Sequence, residues 1–248
     1  MEKLLIGSAG IKHWFPDFPR DCKDYDYLTR EENSTEFVDG VMIEKHNIPY
    51  LLDLTDEEIA LEPDLIYTLK VSHIFWDIKW EKHIFDIVFL KAKGCKLNKD
   101  LFYKLYNFWE NKHGVPKRSD LEMSKEDFFN NCMPKNLPSH DYIHTLIVEI
   151  PTYKKVLKDG ADVEVDENKF NQLTHEEKLE LVREEVYVMA WERLNGRDYR
   201  IGYTWMLKKF ILSHAPFYEA LFIIENYYEL RKPLFNYKKK IDYELSRN

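Results

Sequence analysis

The 248-residue chain sets 36 Lys and Arg against 44 Asp and Glu, for a formal net charge of −8, and is 44% apolar, 15% aromatic and 32% charged. That composition excludes large-scale disorder, and the acidic balance argues against a protein that grips duplex DNA mainly by neutralising phosphates. The length suits one large or two small domains. Three widely spaced cysteines, Cys22, Cys95 and Cys132, form neither a disulfide framework nor a zinc knuckle, so a reducing cytoplasm is the expected compartment. The opening MEKLLIGSAGIKHW meets glycine and charge too early for a secretory signal, and no later apolar run approaches the ~20 residues of a membrane span. Frequent Lys, Asn, Tyr, Phe and Ile point to an A·T-rich coding genome, such as that of a virus.

The stretch from Leu5 to Leu28 carries the most chemistry. A short apolar run leads into Gly7-Ser8, a loop with Pro16 and Pro19 follows, and the stretch closes on Asp24-Tyr25-Asp26. Two carboxylates at i and i+2 on a strand point to one face. Hard Mg²⁺ or Mn²⁺ takes oxygen ligands and keeps positions open for substrate phosphates, so this pair suits a divalent cation. Gly-Ser lets a phosphate approach the backbone and offers it N–H and hydroxyl donors.

Beyond this stretch, TREENSTEFVDG is polar and ends in an Asp-Gly turn signal, and VMIEKHNIPYLLDLT offers a strand with Asp53 among apolar neighbours. From Asp56 the pattern becomes helical, with Pro63 at a first-turn position. A second helix over WEKHIFDIVFLKAKG stops at Gly94, and Asp100 caps a third, LFYKLYNFWENKHG. Three prolines and mixed charge between Val115 and Asp141 mark a connecting segment. Further on, Thr174 and Glu177 form a capping box ahead of an amphipathic helix with Leu179, Val182, Val186 and Met189 on one stripe. Two more helices, YRIGYTWMLKKFILSHA and PFYEALFIIENYYELRK, complete the chain. Its many aromatic residues sit at helical spacings and pack helix on helix, though some are also able to stack a base.

An apolar strand, Gly-Ser and then Asp-x-Asp flanked by apolar residues resembles the opening of the nucleotidyltransferase superfamily, the fold of polymerase beta and the CCA-adding enzymes. The resemblance covers about the first tenth of the chain. It implies Gly7 and Ser8 as the phosphate-binding turn, Asp24 and Asp26 as metal ligands, and Mg²⁺ or Mn²⁺ as cofactor. A third carboxylate on a neighbouring element is then required. Asp86 and Asp53 are the candidates, and Asp86 is preferred because Lys70, Ser72, His73, Lys82 and His83 lie near it in sequence. Lys70, His73 and His83 would bind phosphates or shuttle a proton, and Lys12 or Lys70 would neutralise charge.

A second constellation is SHDYIH. On a helix His140 and His144 share a face, Asp141 stands beside them, and Glu184, Glu185 or Glu192 would complete a metal shell. The order His113, His140-Asp141 and a later aspartate (Asp159, Asp162 or Asp198) resembles that of HD-type phosphohydrolases. This implies a metal-dependent nucleotide phosphohydrolase, for example a 5′-nucleotidase, with His113, His140 and Asp141 as ligands. A third possibility is a catalytically inactive nucleotide-binding or inhibitor protein.

The expected architecture is α+β: a small nucleotidyltransferase-like sheet with its helices in residues 1–115, a connecting segment in 116–139, and a helical region in 140–248. The expected activity is nucleotidyl transfer from a nucleoside triphosphate to a protein side chain, a small molecule or an RNA end, with no membrane partner.

Overall fold

The computed structural model describes residues 4–76, 80–114, 116, 166–194, 207, 211 and 218–231. The chain forms two compact units, Met1–Pro116 and Lys117–Asn248.

The first unit is built on a four-stranded sheet of order β1-β2-β4-β3. Strand β1 (Leu4–Leu5) lies antiparallel to β2 (Asp24–Leu28), with Leu5 opposite Tyr27. On its other side β2 runs parallel to β4 (Val41–His46), which sets Asp24 opposite Met42 and Asp26 opposite Glu44. Strand β3 (Ser34–Val38) closes the sheet as an antiparallel edge. The Asp39-Gly40 turn joins β3 to β4 with positive φ at both residues, 52° and 80°, the backbone that two-residue hairpins demand. All five residues of β3 are exposed, so the strand lacks the one-sided apolar alternation that would announce it in the sequence.

Gly7–Trp14 is a helix, α1, not part of a loop, because no proline falls before Pro16 and Ser8, Ala9 and Ile11 find a buried face. The helix expected from Asp56 begins only at Pro63. Before it the backbone is extended against β1, where Leu5 N–H donates to Ile59 O at 2.9 Å and Leu61 N–H to Leu5 O at 3.0 Å. Pro63, with no N–H to satisfy, opens α2 (Pro63–His73) at its first turn.

Helix α2 is the central rod of the unit, buried from Leu65 to Ser72. A 3₁₀ turn, Ile74–Trp76, follows it, then α3 (Trp80–Ala92) and α4 (Lys99–His113). Helix α3 is followed by Gly94 at φ 89° and α4 by Gly114 at φ 78°, positive angles that glycine adopts at no steric cost as each helix ends. The cap of α4 is Asn98, whose side chain accepts from Leu101 N–H at 3.1 Å, and Asp100 sits instead in the first turn.

In the second unit Asp166 caps α5 (Glu167–Gln172), and the expected capping box opens α6 (His175–Leu194). There Glu177 N–H donates to Thr174 Oγ1 at 3.2 Å and Thr174 N–H to Glu177 Oε2 at 2.9 Å. Leu179, Val182 and Val186 of the expected stripe are buried. Helices α7 (Tyr218–Glu225) and α8 (Tyr227–Leu230) follow, and Phe222 of α7 meets Phe170 of α5 edge-on at 5.8 Å. The expected helix over residues 199–215 lies outside the described residues except at Leu207 and Ile211. The chain is therefore mixed α and β, with a small N-terminal sheet and helices in the rest of the described residues. No helix among these residues is long and apolar enough to cross a membrane.

One ion-pair cluster ties the first unit together. Asp86 of α3 is fully buried and accepts from Arg20 Nε and Nη2 at 3.0 and 2.8 Å, while Lys70 Nζ of α2 stands 2.7 Å from the same carboxylate. It thus fastens the segment after α1 to two helices. Removing one partner of a buried pair leaves uncompensated charge, which costs about 3–5 kcal/mol. We expect Asp86→Ala to lose stability on that scale in urea unfolding, with Arg20→Ala losing less because Arg20 is partly solvated.

Candidate active site

Gly7 closes β1 and opens α1 at φ 63°, and a methyl group there would collide with the Asp26 carboxylate. Glycine is thus demanded by the close approach of β2 as well as by its backbone. Ile6 N–H donates to Asp26 O at 2.9 Å, which fixes that approach. Asp24 and Asp26 share a face of β2, as their spacing dictates. The parallel register adds Glu44 opposite Asp26, and His46 follows two residues later on the same face.

These side chains converge. His46 Nε2 lies 3.3 Å from Asp26 Oδ1 and 3.9 Å from Glu44 Oε2, and one donor atom from each of the three residues falls within 4.8 Å of the others. Burial pushes the Asp26 carboxyl pKa up, but the His46 hydrogen bond, with the charges of His46, Lys70 and Lys82, outweighs it and holds the pKa below its ordinary value. Asp24 Oδ1 is buried with no hydrogen-bond partner, and Asp24 Oδ2 is 3.9 Å from Lys82 Nζ.

The strand face forms one wall of a cleft of about 370 Å³. Gly7, Ser8, Asp24, Asp26, Glu44 and His46 line it on that side. Opposite stand Lys70 and His73 of α2, Lys82 and His83 of α3, and Trp109, Lys112 and His113 of α4. The His73 ring centre is 4.6 Å from Trp109, 6.0 Å from His83 and 6.4 Å from His113. Trp109 stacks on His113, supports Lys112 Nζ at 5.5 Å from its ring centre, and is held by an indole N–H bond to Ser72 Oγ at 3.2 Å. Every acidic residue among the described lining belongs to the strand wall, and the helical wall contributes lysine and histidine. In a chain of net charge −8 this segregation is local.

Of the residues singled out from sequence, the cleft gathers Gly7, Ser8, Asp24, Asp26, Lys70, His73, Lys82, His83 and His113. Three candidates stand elsewhere. Lys12 is exposed in the last turn of α1, and Asp53 is an exposed partner of Arg30 at 2.8 Å. Asp86, preferred from sequence as the third carboxylate, does not line the cleft and pairs instead with Arg20 and Lys70, whereas Glu44 lines it opposite Asp26. Glu44-x-His46 repeats the i, i+2 spacing of Asp24-x-Asp26, and that repetition is the signal that would have found it. Of the second constellation, Glu185 is buried in α6, whereas His140, Asp141 and His144 lie outside the described residues.

The strand wall fits a divalent cation. It offers carboxylate oxygens and one imidazole nitrogen in reach of one another, beside a buried oxygen left without a partner at Asp24. We expect Gly7→Ala to displace the Asp26 carboxylate. Its Mn²⁺ affinity, read by calorimetry, would fall with that of Asp26→Asn, and Asp53→Asn would match the unaltered chain.

Residues 3–123 match the family model described as "Domain of unknown function (DUF7277)", and residues 65–245 match "Domain of unknown function (DUF7275)". No curated protein and no solved structure matches. The second match takes in well over half of the chain, which therefore belongs to the DUF7275 family.

Proposed function

We propose that the chain is a metal-dependent nucleotidyltransferase that uses a nucleoside triphosphate. The observation that carries this reading is the register of β2 and β4. It brings Asp24, Asp26 and Glu44 from adjacent strands to one face, against a glycine-serine turn and across a cleft from lysines and histidines. A triphosphate needs both walls, one to hold cations and one to meet phosphate oxygens directly.

In this reading Asp24, Asp26 and Glu44 hold the cation site. A bound divalent cation supplies Lewis-acid neutralisation of charge on the phosphate oxygens. The N–H groups at the start of α1 and the Ser8 hydroxyl receive phosphate oxygens, as helix N-termini do. Lys82 and Lys112 add positive charge from the far wall, and the Trp109 packing fixes the imidazoles of His73 and His113 in place. An acceptor hydroxyl attacks the α-phosphorus, the bond to the β-phosphate oxygen breaks, pyrophosphate leaves and the acceptor proton passes to solvent or a nearby base. The chain contributes positioning and electrostatics. Protein side chains, small molecules and RNA ends are the acceptors to screen.

The test follows pyrophosphate and orthophosphate by ³¹P NMR with mixed nucleoside tri- and monophosphates and Mg²⁺ or Mn²⁺. Pyrophosphate release is expected to fall on the order of 100-fold or more in Asp26→Ala and in Glu44→Ala, and to persist in Asp141→Ala. Orthophosphate released from monophosphates and lost in Asp141→Ala would make the chain a phosphohydrolase instead. Nucleotide binding with no turnover would make it an inactive nucleotide binder.

A further inference from the structure

We infer that His46 is a metal ligand through Nε2, and that it makes the strand-wall site select a first-row transition dication such as Mn²⁺ over Mg²⁺. The inference rests on the cation-site reading above and concerns which ion that site takes.

Three observations converge on it. The first is placement: His46 follows Glu44 by two residues on β4, so both side chains leave the same face of the sheet, beside Asp26 of the parallel neighbour. The second is spacing. Donor atoms about 2.1 Å from a shared ion lie ~3.0 Å apart when adjacent and ~4.2 Å apart when opposite. His46 Nε2 stands 3.3 and 3.9 Å from the Asp26 and Glu44 oxygens, inside that range for both. The third is Asp24 on the same strand, whose Oδ1 is buried with no hydrogen-bond partner while its Oδ2 lies 3.9 Å from Lys82 Nζ.

The donor set then decides the ion. Mg²⁺ is hard, prefers oxygen in a near-ideal octahedron and gives up water reluctantly, so an imidazole in its shell gains it little. Neutral imidazole is the commonest protein ligand of transition dications, and affinity for nitrogen rises along the first row. Two carboxylates and one imidazole form a borderline set of that kind.

The test uses the full chain and the metals alone. Mn²⁺ binding is followed by electron paramagnetic resonance, with Mg²⁺ as competitor, for the unaltered chain, His46→Gln and Asp26→Asn. Pulsed resonance reports whether a ¹⁴N nucleus couples to the bound Mn²⁺. We expect Mn²⁺ to bind about tenfold or more tighter than Mg²⁺, with imidazole nitrogen modulation. Both the preference and the modulation should vanish in His46→Gln while Mg²⁺ affinity holds, and Asp26→Asn should weaken both ions. Bound Mn²⁺ without nitrogen modulation in the unaltered chain, which needs no variant to fold, would overturn the role of His46 and leave the carboxylate site standing. So would a preference that survives His46→Gln. Failure of both ions to bind would remove the cation site itself, and the proposed function with it.

Discussion

The parallel pairing of β2 with β4 is the constraint on which the rest of the unit depends. It puts Asp26 beside Glu44, two like charges on neighbouring strands, an arrangement that costs stability unless something offsets it. His46 is the nearest offset, and Lys70 and Lys82 reinforce it from the helical side. Gly7 lets the Asp26 carboxylate come close to the backbone where any other residue would push it away. A sheet that concentrates negative charge beside a residue without a side chain is poorly arranged for stability alone, and the proposed cation would offset that charge.

Lys70 links the fold to the cleft. Its ammonium pairs with the buried Asp86 while its charge also acts on Asp26, so the cluster that fastens α2 and α3 contributes to the charge the strand wall meets. Asp86 therefore shapes the site from behind it. Across the cleft, Trp109 plays a comparable part for the imidazoles, stacking on His113 and meeting His73 while its indole N–H is anchored on Ser72. Buried groups behind the lining, Asp86 and Ser72, hold Lys70 and Trp109 in place, an arrangement that keeps side chains in fixed positions.

What was legible in the sequence was local. The Asp24-x-Asp26 face, the Gly94 helix stop, the Asp39-Gly40 turn and the Thr174-Glu177 box each depend on residues a few positions apart, and each stands where the spacing put it. Glu44 escaped because its meaning comes from a strand partner eighteen positions earlier, across a pairing that no short window contains. Asp86 stands outside the cleft lining for the complementary reason. Its apolar flanks correctly announced burial, but Arg20, sixty-six positions away, decides what that burial is for. The helix expected from Asp56 failed because acidic residues before Pro63 resemble a helix start, while the free edge of β1 binds the backbone of Ile59 and Leu61 instead. Strand β3, exposed at every position, has no apolar period to read.

The central claim is that the face shared by β2 and β4 is a cation centre. Anomalous scattering from crystals grown with Mn²⁺ tests it most directly, because the peak reports position without reference to activity. The account predicts a peak in the cleft within bonding distance of the Asp26 and Glu44 carboxylates, about 2.2 Å from the ligating atoms. A well-diffracting crystal with Mn²⁺ peaks elsewhere on the protein and none against these strands would contradict it.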